Sequence, residues 1–456
     1  MKIDALVAEI GSTTTVVNAF DNLSGSDPVF LGQGFAPTTV LDGDVTVGLK
    51  NAMSDLAKNL GANTIEARET FASSSAAGGL KMSVHGLVYD MTVKAAREAA
   101  LGAGANLRLV TAGLLSEDDV SYLASGKLNI IMIAGGVDYG ETETALENAK
   151  KIASLRLNVP VIYAGNSQNQ PAIRRIFREV GQEDYLFVTK NVYPSIDKLE
   201  IEEARKIIQS VFEKHIIRAP GMEKVREEIS SDIIPTPGAV MEAAILLYRE
   251  IGDLVAFDVG GATTDIHSVT AGSEKNEKIM LGPEPFAKRT VEGDLGVYIN
   301  RDNIIDLVGK DKLADELKIS EQDLDALLSK YKAIPDPDLY PLVSILTYEA
   351  LKCALERHSG HYIHLYGASG KTTLAEGKDL SAVRYAIGTG GALTRLPDKH
   401  RIISRVLSNR NDLLMKPPVD ATILIDEDYI MASLGVLSRK HPEAASIILK
   451  KSLGIG

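Results

Sequence analysis

The sequence is poor in the groups that carry covalent, redox or metal chemistry. Among 456 residues there is one cysteine, Cys353, and no tryptophan. A lone thiol excludes an intramolecular disulfide framework and any zinc or iron–sulfur centre built from this chain's thiolates alone. Cys353 falls in a helical pattern and reads as a small core residue. Positive charge is also in deficit: 49 Lys and Arg stand against 61 Asp and Glu, a net charge of −12. No dense Lys/Arg run occurs, and pairs such as Arg174-Arg175 read as solvated helix faces. This argues against a nucleic-acid binder, whose affinity comes largely from neutralising phosphate. No stretch approaches the ~20 apolar residues of a membrane-spanning helix. The opening residues lack the basic and apolar regions of a secretory signal, so the expectation is a cytoplasmic protein without membrane contact. Low-complexity segments and short tandem repeats are missing as well.

What is present is an ordinary globular composition, 45% hydrophobic and 24% charged, on a chain long enough for about two to four domains. Residues 4–10 read as a strand, 11–15 as a turn and 16–20 as a strand. Strands and helices then alternate: helix 50–60, strand 81–88, helix 93–101, strand 107–111. Ser116 opens the next helix, with Asp119 in capping-box position. Residues 126–217 continue with strands at 129–134, 159–164 and 185–189. Between them fall a helix carrying Leu146, Ala149 and Ala153 and another over 171–180. A helix over 200–215 follows, in which Ile201, Ala204, Ile208, Val211 and Phe212 recur at helical spacing. Apolar strands alternating with amphipathic helices imply βαβ units and a parallel sheet. Thr236-Pro237 opens a helix over 238–249, 254–258 is a strand, and 301–357 is mostly helical, broken at Pro335-Asp336-Pro337-Asp338. The remainder reads as strand 362–366, loop, helix, strand, a Gly-rich turn over 388–393 and a helix, with a final helix from about Tyr429.

Three segments carry chemistry when taken together. In Glu9-Ile10-Gly11-Ser12-Thr13-Thr14-Thr15 an acid ends a strand and a glycine opens a turn of hydroxyl residues. Glycine permits the tight turn, turn N–H groups can cradle phosphate, and the acid can hold Mg²⁺ through water. Alone, this is equally a Ser/Thr-rich hairpin. The design recurs some 250 residues later in Phe257-Asp258-Val259-Gly260-Gly261-Ala262-Thr263-Thr264-Asp265. A Gly-Gly turn after a strand is often only a hairpin, but two such acid–Gly–Thr arrangements suggest two related half-domains facing one ligand. The third segment, Ala386-Ile387-Gly388-Thr389-Gly390-Gly391-Ala392-Leu393, follows a strand and opens a helix. Such a turn lets backbone lie against a base or ribose and tolerates anionic groups at its helix N-terminus.

In order and chemistry these segments resemble the phosphate-1, phosphate-2 and adenosine segments of the actin/Hsp70/sugar-kinase superfamily. Residues 238–249 and Tyr429-Ile430-Met431-Ala432-Ser433-Leu434-Gly435 look like its connecting helices. Glu349 and Lys352, three apart on a helix, are placed as in its ribose-contacting helix, although a surface ion pair explains them equally. Within the superfamily the chain is most similar to the MutL-type accessory proteins encoded with adenosylcobalamin-dependent glutamate mutase, which are distinct from the mismatch-repair protein of that name. The resemblance is carried by Ser73-Ser74-Ser75-Ala76-Ala77-Gly78-Gly79-Leu80-Lys81-Met82, Ala134-Gly135-Gly136-Val137-Asp138-Tyr139-Gly140, Tyr163-Ala164-Gly165-Asn166 and Asp426-Glu427-Asp428-Tyr429-Ile430, and it covers essentially the whole chain.

The resemblance implies an α/β fold with two actin-like ATPase-type domains around a nucleotide cleft and an inserted parallel α/β unit. Domain I is expected over 1–125 with a return over 420–456, the insert over 126–234 and domain II over 235–419. ATP or ADP with Mg²⁺ is the expected cofactor. Glu9, Asp258 and Asp265 are the catalytic candidates, and Glu9 and Asp258 the metal candidates. Nucleotide contacts are expected from Gly11, Ser12, Thr13, Thr14, Thr15, Gly260, Gly261, Thr263, Thr264, Glu349, Lys352, Gly388, Thr389, Gly390 and Gly391. Where the superfamily usually has Asp, this chain has Glu9, one methylene longer, which favours binding over efficient turnover. The implied work is that of an ATP-dependent chaperone: it opens an adenosylcobalamin-dependent mutase, of glutamate or of an aminomutase substrate, and releases damaged cobalamin as nucleotide state changes the domain angle. The insert is expected to contact that partner or an effector through loops at 135–140 and 165–168, which follow strands. A homo-oligomer is admitted. Two other readings use the same cleft, a small-molecule kinase and an actin-like structural ATPase, and fold does not choose among them.

Other motifs are set aside. Gly367-Ala368-Ser369-Gly370-Lys371-Thr372 resembles a P-loop but has Leu365 where the first glycine belongs. His358, His361 and His364 straddle a helix end and a strand, so a shared metal-binding face is not expected. No Ser/His/Asp triad is recognisable by spacing.

Overall fold

The nearly unbroken apolar run Lys2–Ile10 forms strand β1, buried along most of its length as a central strand must be. The computed structural model describes residues 1–11, 13–39, 44–75, 80–215, 225–226, 229, 233–367 and 370–455. After β1 come β2 (Thr14–Asp21), β3 (Val29–Pro37), β4 (Glu66–Ser74), β5 (Leu80–Gly86), β6 (Ala105–Ala112), β7 (Ile130–Ile133), β8 (Val161–Tyr163) and β9 (Leu186–Val188). The series continues with β10 (Ile233–Pro235), β11 (Leu254–Val259), β12 (Thr264–Val269), β13 (Ala287–Glu292), β14 (His361–Gly367), β15 (Gly370–Glu376), β16 (Tyr385–Thr389) and β17 (Thr422–Ile425).

Two of the sheets share one plan. One has the order β10-β4-β1-β2-β3 and the other β13-β12-β11-β16-β17. In each, three consecutive strands lie side by side and two later strands are added beyond the first of the three. In the second sheet β11, β12 and β13 are antiparallel neighbours, while β16 joins β11, and β17 joins β16, in parallel. The hairpin repeat read from sequence is thus matched by a repeat of topology. The class is mixed α/β with parallel pairing, as expected.

The remaining five-stranded sheet, β6-β5-β7-β8-β9, is parallel throughout. Its strands feed both faces. Ile130 and Met132 enter one core with Ala95, Ala99, Ile201 and Ile208. Ile131 and Ile133 enter another with Leu123, Ala149, Ile152 and Phe177. Helices Lys94–Gly102 and Glu202–His215 therefore cover one face, and Glu117–Ala124, Glu143–Ser154 and Gln170–Glu179 the other. Such two-sided burial explains why β7 and β8 read as unbroken apolar runs.

Contacts divide the chain into two units, Met1–Ala5 with Asn18–Gln33 and Val240–Gly456, and Leu6–Val17 with Gly34–Ala239. The parallel sheet starts at Leu80, not near residue 126, because β5 and β6 supply its first two strands. Likewise β17 pairs with β16, so the segment after 419 continues the sheet of the preceding residues.

Local readings differ in three places. The helix expected between the strand at 362–366 and the Gly-rich turn is instead β15, the second arm of a hairpin with β14. Its Gly370, at φ +107, begins that arm, so Lys371 and Thr372 lie on a strand and not at the helix start a P-loop requires; residues 368–369 are outside those described. The final helix is two, Met431–Leu437 and Pro442–Ser452. Strands β3, β4, β13 and β17 give too little alternation to be read locally. Among the described residues no helix is long and apolar enough to cross a membrane.

Candidate functional site

The two acid–Gly–Thr turns close in the same way. The Gly11 N–H donates to the Thr14 carbonyl at 3.0 Å, and the Gly260 N–H to the Thr263 carbonyl at 2.9 Å. A Cβ on Gly11 would stand 2.6 Å from that Thr14 oxygen, so the first turn admits only glycine there. In the first hairpin Glu9 is buried at the end of β1. Thr13 and Thr14 are half-buried, and Ser12 is outside the described residues. The Thr13 carbonyl accepts from the Thr38 N–H at 3.0 Å. Thr15 is fully buried with its hydroxyl 2.9 Å from that of Thr38, which makes it a brace of the hairpin.

The second hairpin is supported from its carbonyl side by the loop 293–300. The Gly260 carbonyl accepts from the Val297 N–H at 3.2 Å, and the Gly261 carbonyl from those of Tyr298 and Ile299 at 2.9 and 2.7 Å. The Ala262 carbonyl accepts from the Asn300 side chain at 2.7 Å. Among the described residues no acceptor faces the Gly261 or Ala262 N–H. With its oxygens engaged by protein and these two N–H groups without a described acceptor, the turn has donors to offer an anion. The Thr264 hydroxyl is spent on the Leu295 carbonyl at 2.7 Å, and that of Thr263 on Asp265 at 2.9 Å.

The carboxylates around this turn play unlike parts. Asp258 and Asp265 face each other across the β11–β12 ladder. Asp265 is buried and engaged by Arg289, with Nε at 2.8 Å and Nη2 at 2.5 Å from its Oδ1. A carboxylate so committed forms a buried ion pair. Asp258 is half-buried. Burial, and then the charge of Asp265, pushes its carboxyl up to about 7 against the pull of Arg289, with Asp426 adding to the rise. A group held so far above the usual carboxylate range gains from an added cation beside it.

The Gly-rich turn packs directly on Asp258. Strand β16 runs parallel to β11 with Thr389 opposite Asp258. Gly390, at φ +84, opens helix Gly390–Arg395. A Cβ on it would lie 2.4 Å from Asp258 Oδ1 and 2.6 Å from the Val259 nitrogen, and one on Gly388 2.8 Å from the Ile403 side chain, whereas one on Gly391 would meet nothing within 4 Å. The Thr389 hydroxyl donates to buried Asp426 at 2.9 Å. Asp426 also accepts from the Ile430 and Met431 N–H groups at 3.1 and 2.9 Å and from Ser452 at 3.1 Å, so it caps helix Met431–Leu437. Burial raises its carboxyl, and these bonds oppose the rise.

Glu349 and Lys352 lie on helix Tyr340–His358, bonded to each other at 2.5 Å, with the ammonium 5.7 Å from the Tyr348 ring. His358 is buried and bonded to Thr290 and Ser268, His361 faces Glu376, and His364 faces Thr373. Each histidine thus has its own neighbours. Asp258, the 260–264 turn, Glu349, Lys352 and 388–391 all belong to the first unit; Glu9 and 11–15 belong to the second. Sequence reasoning missed Arg289 and the 293–300 brace, and gave Asp426 only within a stretch that carries the resemblance. Arg289 lies on β13, a strand without enough alternation to be read locally, so no sequence signal marked it.

A model of the family described as MutL protein matches residues 5–453. "Protein MutL" of Clostridium tetanomorphum is 34% identical over 466 residues, covering 98% of this chain and 98% of that protein. Among solved structures, a diol dehydratase-reactivating factor in nucleotide-free form is 11% identical at a TM-score of 0.38, covering 96% of this chain and 100% of that one. A nucleotide-free acetone carboxylase is 13% identical at a TM-score of 0.40, covering 96% and 70%.

Proposed function

The chain belongs to the MutL protein family, and from that membership we propose that it is an ATP-dependent chaperone that reactivates an adenosylcobalamin-dependent mutase in the cytoplasm. The client is glutamate mutase or an amino-acid aminomutase, and the chaperone's work is to release damaged cobalamin. The observation that carries nucleotide binding is the second hairpin. Its carbonyls are engaged by protein, its Gly261 and Ala262 N–H groups meet no acceptor among the described residues, and Asp258 beside it is held at about 7.

Those features fit a phosphate accompanied by a divalent cation. Mg²⁺ bound there supplies charge to offset phosphate and carboxylate alike. Asp258 and Glu9 are the carboxylates proposed to serve the metal. Backbone of 11–14 and 260–263 is proposed to take phosphate. Gly388, Gly390 and Gly391, with Glu349 and Lys352, are proposed for the nucleoside. Thr15, Thr264 and Thr389 act on this reading as braces, because their hydroxyls are already bonded within the protein. Asp265 likewise keeps Arg289 neutralised beside Asp258 rather than taking part in hydrolysis. A reactivating cycle further requires different affinities for the client in the two nucleotide states.

The test is incubation of mutase carrying damaged cobalamin with this protein, ATP, Mg²⁺ and fresh adenosylcobalamin. Recovery of mutase turnover that depends on ATP is expected. No recovery, together with phosphorylation of a sugar or carboxylate, would replace this reading by that of a small-molecule kinase. ATP-driven light scattering by the protein alone would favour a filament former.

A further inference from the structure

No strand of the parallel sheet of the second unit holds a residue proposed for the nucleotide, and its strand order is informative. Taken by their order in the chain, its strands lie second, first, third, fourth, fifth. In sheets wound this way, ligands are met outside the carboxyl ends of the strands, where successive connections leave to opposite sides. Here that switch falls between β5 and β7.

The apolar side chains left in solvent gather along that edge. Tyr139 is 79% exposed, Ile196 70%, Leu114 60%, Tyr89 52% and Val88 44%. Val47 aside, these are the exposed large apolar residues among the described residues of the unit. Each lies in the connection that follows a strand: Val88 after β5 with Tyr89 opening the short helix Tyr89–Val93, Leu114 after β6, Tyr139 after β7 and Ile196 after β9. These connections form one row, because Gly113 N–H bonds to the Gly86 carbonyl, Ala134 N–H to that of His85 and Asp138 N–H to that of Pro194.

The row is built to be rigid. Asp138 accepts from the Ser167 N–H at 2.8 Å and the Asn191 side chain at 3.1 Å. Asn166 accepts from the Tyr139 N–H at 3.2 Å, and Asn169 donates to the Thr142 carbonyl at 2.9 Å. Held this way, Tyr139 sits at φ +64, a left-handed conformation that glycine or asparagine adopts with less strain. An aromatic ring kept there at 79% exposure gains little from its own chain, and strain of this kind gathers at functional positions. Tyr89 is steadied too, with Arg97 5.8 Å from its ring and 3.3 Å from its hydroxyl.

We propose that this edge is a docking surface for a protein partner whose contact patch is apolar and rimmed by Lys and Arg. The apolar tips protrude, whereas a small ligand is taken by a pocket that buries most of it. Exposed Tyr anchors on a rigid frame are what protein interfaces use. The rim is acidic: Asp90 adjoins Tyr89, Glu117 and Asp118 follow Leu114, Glu141 follows Tyr139 and Asp197 follows Ile196, all exposed. The neighbouring Lys190 and Lys198 are already paired with Glu203 and Glu200. An acidic rim repels a second copy of itself and selects a basic-rimmed partner. Five strands about 4.8 Å apart, with helices about 10 Å to either side, give a footprint on the order of 400–600 Å². That is the size of a transient contact, suited to a partner that must be released. Equating the partner with a cobalamin-dependent mutase rests on the proposed function; the surface itself does not.

The experiment compares the full chain with Tyr139→Asn, Leu114→Ser and their combination, in binding to glutamate mutase holoenzyme with and without ATP and Mg²⁺. Asparagine keeps the left-handed backbone while removing the ring. Each single variant should weaken binding about 10-fold and the pair about 100-fold, with ATP affinity unchanged. Asp118→Lys with Glu141→Lys should slow association and reduce its salt dependence. Wild-type binding that these variants leave intact overturns the surface and spares the proposed function. Failure of the wild type to bind the mutase in every nucleotide state overturns the proposed function and this partner together. Self-association abolished by the same variants overturns the choice of a different protein as partner.

Discussion

Replacing Asp258 by Asn removes one negative charge from the β11–β12 hairpin and keeps its shape. In the folded chain this carboxyl is pushed from 3.8 up to about 7 by burial and by Asp265 and Asp426. The folded state therefore binds a proton across that window and the unfolded state does not. The sign follows. The contribution of Asp258 to stability is fully present below pH 3.8 and is lost as pH rises through 7. The full swing amounts to about 4 kcal/mol at 1.36 kcal/mol per pH unit. Asn has no such dependence. The variant should therefore be more stable than the wild type, and its advantage should widen by about 2–3 kcal/mol between pH 5 and pH 8, then level off. In thermal melts without nucleotide, this is a gap in Tm that widens by about 5 °C or more. The same variant should lose the Tm rise that Mg²⁺-ATP gives the wild type, since binding to the folded state alone raises apparent stability. An advantage that stays constant or shrinks as pH rises would refute the electrostatic account of the turn. An unchanged Mg²⁺-ATP response would refute the placement of the metal.

The other substitutions separate structural from ligand-facing roles. Gly390→Ala puts a Cβ 2.4 Å from Asp258 Oδ1 at φ +84, and should cost about 2–4 kcal/mol and abolish ATP binding in calorimetry. Gly391→Ala meets nothing within 4 Å, so its Tm should hold; a Tm loss equal to that of Gly390→Ala would contradict the packing described. Asp265→Asn removes the charge paired with buried Arg289 and should cost about 3–5 kcal/mol in urea unfolding, with part recovered by adding Arg289→Met. A loss below about 1 kcal/mol would mean that the pair is not structural. Glu9→Asp shortens the acid at the end of β1 by one methylene and should change the turnover number for ATP while leaving its Kd within about threefold. A large change in Kd alone would assign Glu9 to nucleotide binding and not to catalysis.

The sequence by itself determined what depends on neighbours along the chain. An acid ending a strand, then glycine and a run of threonines, sufficed to find both hairpins, because each turn is closed locally, from Gly11 to Thr14 and from Gly260 to Thr263. The Ser116–Asp119 capping box is legible for the same reason and is formed in both directions. Helical spacing found Glu202–His215, and the apolar runs found β7 and β8, since burial of a face or of both faces leaves its period in the residues. Tertiary structure alone decided which charges meet. Asp265 and Arg289 are 24 residues apart, Thr389 and Asp426 37, and the 293–300 loop reaches back to the 260–262 carbonyls. Nothing in the local pattern distinguishes an acid that will be neutralised from one left near 7. That difference comes from burial and from partners delivered by other strands. The extent of the parallel sheet was hidden likewise: β5 and β6 carry ordinary strand signals, and only pairing with β7 shows that they begin it. The row of exposed Tyr89, Leu114 and Tyr139 was invisible for that reason, since three separate connections become one edge only when their strands lie side by side.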